Sequence, residues 1–127
     1  MELKTFDDPN EKLFRAVWPT DTYWKDNGKV SSAAFSIRKG EDGISVQRAL
    51  KRNDSEVIRS MSKLHGGIVY VTTRTCKEED VKIEHKPSRD SYWHSILITD
   101  RDSRIANKQR LKLARAAIVV RDRDYKS

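Results

Sequence analysis

Turn signals cut this chain into short pieces. Asp26-Asn27-Gly28-Lys29, Gly40-Glu41-Asp42-Gly43, Gly66-Gly67 and Pro87-Ser88-Arg89-Asp90 each interrupt an apolar or β-branched run. No apolar stretch approaches the roughly 18 residues of a membrane span. The pieces between the turns are long enough only for brief strands and helices. The periodicity within each piece then decides which it is.

Lys12–Trp18 is an apolar run ended by Pro19 and reads as a strand. Val30–Ile37 alternates and is expected as a second strand, with Ser31, Ala33, Phe35 and Ile37 as its core face. Ile44–Leu50 fits a strand or a helical turn. Asn53 or Asp54 is suited to cap a helix over Ser55–Leu64, whose stripe is Val57, Ile58, Met61 and Leu64. Ile68–Thr73 is β-branched and reads as a strand. Thr75–Asp80 is a polar turn or one helical turn. Val81–Lys86 and Ser91–Thr99 read as a hairpin. Ser103 is suited to cap a last helix through about Ala117, and Ile118-Val119-Val120 forms a short closing strand. The expected class is α+β: a single domain over residues 1–127, a mostly antiparallel sheet, and helices on one face. Residues 1–11 are expected as a flexible or capping lead-in, and 121–127 as a flexible tail.

Charge is unevenly spread. The net charge is +7, and residues 101–127 supply +6 of it, with nine Lys/Arg against three Asp. Clustered cations favour a polyanion, because counterions are released on phosphate contact. A basic helix is also often only a solvated helix. The N-terminus has no apolar h-region of a signal peptide, so the expected location is the cytoplasm. The single cysteine, Cys76, forms no internal disulfide and reads as either buried or reactive. No phosphate loop, dinucleotide fingerprint or metalloprotease motif occurs, and the histidine spacing fits no metal-ligand pattern. Neither metal nor cofactor is expected.

Three residues draw attention for chemistry. A four-residue hairpin loop places Lys86 opposite Ser91 and Ile83 opposite His94. His85 and His94 then share a face, near enough to act as acid and base in metal-independent RNA cleavage. The alternative is two ordinary sheet histidines. Arg15 sits mid-strand between Leu13 and Val17 and points to the core or a cleft. It reads as a phosphate or carboxylate clamp, or as a salt bridge or edge-strand position. Trp18, Tyr23 and Trp24 bracket Pro19 in a loop, either as a base-stacking platform or as a plug at the sheet end. Tyr92-Trp93 carry the same two readings.

Several blocks together resemble a family of small uncharacterised bacterial proteins: Leu13-Phe14-Arg15-Ala16-Val17, Gly28 to Phe35, Gly43-Ile44-Ser45-Val46, His94 to Ile98, and Leu113 to Ala117. They make up about a fifth of the chain. The resemblance implies a bacterial single-domain protein and adds attention to Arg15, Ser32 and His94. It supplies no reaction.

The leading expectation is a nucleic-acid-associated protein, RNA-directed, of a toxin or defence type with metal-independent nuclease activity. Arg104, Lys108, Arg110, Lys112 and Arg115 would hold RNA or DNA phosphates, with Trp24 stacking, and His94, His85 and Arg15 would be catalytic. The alternative is a non-enzymatic module that docks an acidic protein partner or forms a homodimer. A lesser alternative is a nucleotide-dependent transferase with Arg15 on a phosphate and Ser31-Ser32 lining its pocket.

Overall fold

The computed structural model describes residues 5–64 and 66–125. Residues 1–4 of the lead-in and Lys126 of the basic block lie outside that range. The fold is α+β. Among the described residues, six strands form one antiparallel sheet: β1 (Lys12–Val17), β2 (Ile44–Arg48), β3 (Gly67–Thr72), β4 (Lys82–His85), β5 (His94–Ile98) and β6 (Ile118–Arg121). Their spatial order is β4-β5-β2-β1-β3-β6. Helices α1 (Asp54–Ser60), α2 (Thr73–Glu78) and α3 (Ser103–Ala116) complete it, with a 3₁₀ turn at Ser32–Phe35. No helix among the described residues is long and apolar enough to cross a membrane.

Strand alternation sorts side chains onto two faces. Leu13, Arg15 and Val17 of β1 share face A with Ile44, Val46 and Arg48 of β2 and Val69 and Val71 of β3. Leu113 and Ala114 of α3, Phe35 of the 3₁₀ turn and Cys76 of α2 pack on this face. Phe14 and Ile68 point to face B, where Val57 and Met61 from α1 and the turn after it cover them. The helices thus lie on both faces, not on one as expected. A central strand such as β1 is apolar on both sides, with Leu13, Phe14 and Val17 all buried, and each side needs a cover.

The segment 30–37 is not a strand. Val30 makes one isolated bridge to Trp24, and the chain then turns through Ser32–Phe35. Ala34 and Phe35 are both buried although adjacent, which a single strand face does not allow. Packing against α3 overrides the alternation. On the other side, α1 begins with a capping box between Asn53 and Glu56. It ends at Ser60, sooner than expected, and Leu64 is 47% exposed rather than in the stripe. The Arg121 guanidinium donates to the carbonyls of Met61, Leu64 and Gly66, satisfying the end of the helix and the turn after it. Asp102, not Ser103, caps α3, accepting from the amides of Arg104 and Ile105.

Both ends of the described chain are tied down. Phe6 is buried against the Arg48 guanidinium, 3.9 Å from ring centroid to guanidinium carbon. The Gly66 amide donates to the Tyr125 carbonyl, and Arg123 pairs with Asp21. The lead-in from Thr5 and the tail to Tyr125 are therefore parts of the fold.

Arg48 is 2% exposed and donates to the Glu11 carboxylate through Nε and Nη2, each at 2.8 Å. The same carboxylate accepts the Leu50 amide at 3.0 Å. Leu50 and Lys51 hold φ of 46° and 69°, a left-handed pair that costs roughly 1–2 kcal/mol per residue. Glu11 thus neutralises a buried cation and helps hold that strained turn. We expect Glu11→Ala to destabilise the fold by about 3–5 kcal/mol, because it leaves Arg48 buried without its carboxylate. Adding Arg48→Met should recover part of the loss, as read by urea denaturation of both variants.

Candidate functional site

The β1–β2 ladder stops after two pairs, Leu13 with Arg48 and Phe14 with Gln47. Continued in register, it would next join Ala16 to Ser45 through both backbone bonds. Guanidinium groups stand in their place. Arg15 Nη1 donates to the Ser45 carbonyl at 2.7 Å, and Arg38 Nη2 donates to the Ala16 carbonyl at 3.2 Å. Arg15 also donates through Nε to the Ala34 carbonyl at 2.6 Å and through Nη2 to the Ser36 carbonyl at 2.9 Å.

Arg15 is 4% exposed. Among the described residues it forms no ion pair, and it is not an edge residue, since β1 lies between β2 and β3. Three carbonyls fix it, so it is not free to clamp a substrate. It ties β1 to β2 and to the 3₁₀ turn. Burial, with the nearby Arg38 charge, lowers its pKa to about 10, and Glu41 pulls the other way. The group stays protonated at neutral pH.

Where the strands part, face B carries a cleft of about 310 Å³. Phe14, Ser45 and Gln47 line it from the sheet, Met61 and Lys63 from the turn after α1, and Arg38, Ser91 and Trp93 from loops. Ser91 Oγ donates to Gln47 Oε1. The Ser45 hydroxyl lies 2.7 Å from His94 Nε2, and His94 Nδ1 lies 2.8 Å from the Lys86 carbonyl. A carbonyl only accepts, so Nδ1 carries a proton. In the neutral ring, Nε2 is then the acceptor and Ser45 the donor. A hydroxyl bonded to an imidazole whose far nitrogen is fixed is the arrangement of an activated nucleophile and its base.

His85 does not join His94. The observed register pairs His85 with Ser95 and Ile83 with Leu97, three residues from the expected one. An odd shift exchanges faces, so His85 lies on face A and His94 on face B. The loop causes this. Lys86 already bonds the His94 carbonyl, and residues 87–93 fold back through reciprocal bonds between Ser88 and Ser91. The His85 ring instead meets Tyr92 edge-on, with centroids 5.3 Å apart.

Trp24 is 3% exposed and donates Nε1–H to the Trp18 carbonyl at 2.9 Å. It is a plug, not a base-stacking surface. A β-carbon added at Gly67 would meet its ring at 2.3 Å, so a glycine lies where β3 begins. Trp18, at 54% exposure, is the outer residue of the group. Ser31 Oγ donates to the Thr22 carbonyl at 2.6 Å. Cys76 is fully buried, and burial pushes its thiol up to about 12, which makes it inert.

The basic helix has its own order. Ala106, Gln109, Leu113 and Ala114 are its buried side. Gln109 fixes it by donating to the carbonyls of Glu79 and Asp80 and accepting from the Asp100 amide. At 100° per residue, Arg104, Lys108, Lys112 and Arg115 fall within an arc of about 80° on the opposite side. All four are exposed, and none is in an ion pair among the described residues. Arg110 falls off this ridge, half-buried and bonded to Asn107. Because α3 packs on face A, the ridge and the Ser45–His94 pair lie on opposite sides of the sheet.

Ser45, Gln47 and Arg38 were not singled out from the sequence. The available signal was the alternation of Ser45 and Gln47 with Ile44, Val46 and Arg48, which marks a polar face on a strand. Among the described residues, no three His, Cys, Asp or Glu side chains gather as a metal site would require. No protein-family model, curated protein or solved structure matches this chain.

Replacing Arg15 should expose its role. Arg15→Met leaves the Ala34, Ser36 and Ser45 carbonyls without their donor, each orphaned acceptor costing roughly 1–3 kcal/mol. We expect a loss of about 3 kcal/mol or more in urea denaturation. Arg15→Lys should recover only part, because an ammonium lacks the planar fork that spans the three carbonyls.

Proposed function

We propose that the protein binds nucleic acid through the exposed ridge of α3, with Arg104, Lys108, Lys112 and Arg115 on successive phosphates. The observation that carries this reading is the arc itself: four cations on one line, opposite the buried side, with no carboxylate partner among the described residues. An ordinary solvated helix face mixes both signs. Here Asp102, the cap, is the helix's nearest acid, and no Asp or Glu follows in Ser103–Ala116. Successive cations on the ridge are three or four residues apart, about 4.5–6 Å along the axis, so they form one continuous line of positive charge.

The reading is of binding rather than cleavage. The histidine pair that metal-independent RNA cleavage needs is split between the two faces, and Arg15 is already bonded to carbonyls. Shape or backbone recognition fits a helix ridge of this kind, since it presents charge and no aromatic platform.

The test is fluorescence anisotropy with labelled single-stranded RNA and duplex DNA across a salt series. Four phosphate contacts predict a slope of log K against log salt of about −3 to −4. The variant with all four ridge cations changed to Gln should lose most of the binding and the slope. Arg110→Gln, off the ridge, should leave both nearly unchanged. Absence of binding at low salt, or a slope near zero, would retire the proposal in favour of an acidic protein partner or a second copy.

A further inference from the structure

The cleft on face B is independent of the α3 ridge and has its own chemistry. Ser45 lines it, and its hydroxyl is 2.7 Å from His94 Nε2. The Lys86 carbonyl at 2.8 Å fixes the proton on Nδ1 and leaves the Nε2 lone pair facing the serine. A backbone carbonyl here does the orienting work that a carboxylate does in a triad, without adding negative charge. The surrounding charge is cationic. Arg38 and Lys63 stand in the wall with no ion pair among the described residues, and Asp90 is the one acid there. Among the described residues the hydrogen bond of Arg38 is to the Ala16 carbonyl, through Nη2 alone, which leaves its other donors available. Phe14 and Met61 supply an apolar wall. A volume of about 310 Å³ suits a small molecule rather than a polymer.

We propose that Ser45 is a nucleophile, with His94 as its general base, acting on small esters whose acyl group carries a negative charge. The Ser45 oxygen attacks the ester carbonyl carbon and forms the new C–O bond, while its proton passes to His94 Nε2. The tetrahedral intermediate collapses, the ester C–O bond breaks, and the imidazolium returns the proton to the departing alkoxide. Water, activated by the same nitrogen, then attacks the acyl carbon and releases the acid and free Ser45. Water is the only co-reactant. Arg38 and Lys63 attract the acyl charge, and the low polarity of the Phe14–Met61 wall strengthens that attraction.

The probe is p-nitrophenyl hydrogen succinate, compared with the neutral p-nitrophenyl acetate. We expect release of p-nitrophenolate and an acid-stable succinyl adduct on the peptide containing Ser45, found by mass spectrometry. Ser45→Ala should abolish the adduct, and His94→Ala should slow its formation by about 100-fold or more. Lys63→Ala should lower the succinyl-over-acetyl preference, and the four-residue α3 variant should change neither rate. Release without a Ser45 adduct, or equal labelling in Ser45→Ala, would overturn the proposal. Ser45→Cys gives a second reading that does not need the alanine variant to fold. Its thiol should react faster with iodoacetate than with iodoacetamide, while Cys76 stays unlabelled. The reverse order would rule out an anion-selective cleft.

Discussion

Two buried guanidinium groups on one face of β1 and β2 organise this molecule. A cation leaves water only where enough acceptors replace its hydration. Arg48 meets the requirement with the Glu11 carboxylate, the Thr5 carbonyl and the face of Phe6. Arg15 meets it with three carbonyls and, among the described residues, no carboxylate partner. The two solutions have opposite effects. The first draws the N-terminal segment onto the sheet and holds the left-handed turn at Leu50-Lys51. The second holds β1 and β2 apart, because the Ser45 carbonyl goes to a side chain instead of to the Ala16 amide.

That parting creates the cleft. A closed ladder would have left face B flat beside α1. With the strands spread, Arg38 enters to satisfy Ala16, and a hollow forms between Ser45 and the turn that follows α1. The 3₁₀ turn belongs to the same arrangement, since its Ala34 carbonyl is one of the three that hold Arg15. The sheet then separates two surfaces. Face A is covered by α3, whose outer ridge is cationic and points to solvent. Face B holds a small cleft with a hydroxyl–imidazole pair. Neither surface borrows a residue from the other, so each can be disabled alone.

Some of this was legible from residues alone. Ile68–Thr73 and the last helix stand out because their periodicity is strong and agrees with local propensity. The turns at Gly28, Gly40 and Gly66 are where they were expected, and all three glycines hold positive φ. The basic block was visible as composition, yet Arg110 and the ridge residues look alike in a list. Only the buried side, set by Leu113 and Gln109, separates them. Trp24 carries no mark that distinguishes a plug from a platform. Its fate is set by Gly67, more than forty residues away.

Local sequence determined the elements, their class and the concentration of charge at the C-terminal end, because propensity, capping and alternation act over a few residues. Tertiary structure decided which elements became neighbours and in what register. The β4–β5 loop closes at Lys86 and His94 rather than at Lys86 and Ser91, and that odd shift sends His85 away from His94 and leaves His94 with Ser45. The run from Val30 to Ile37 alternates like a strand, yet no strand among the described residues offers it a ladder and α3 offers it a surface. Register and partner choice are long-range contacts made between segments tens of residues apart, and no periodicity inside one segment records them.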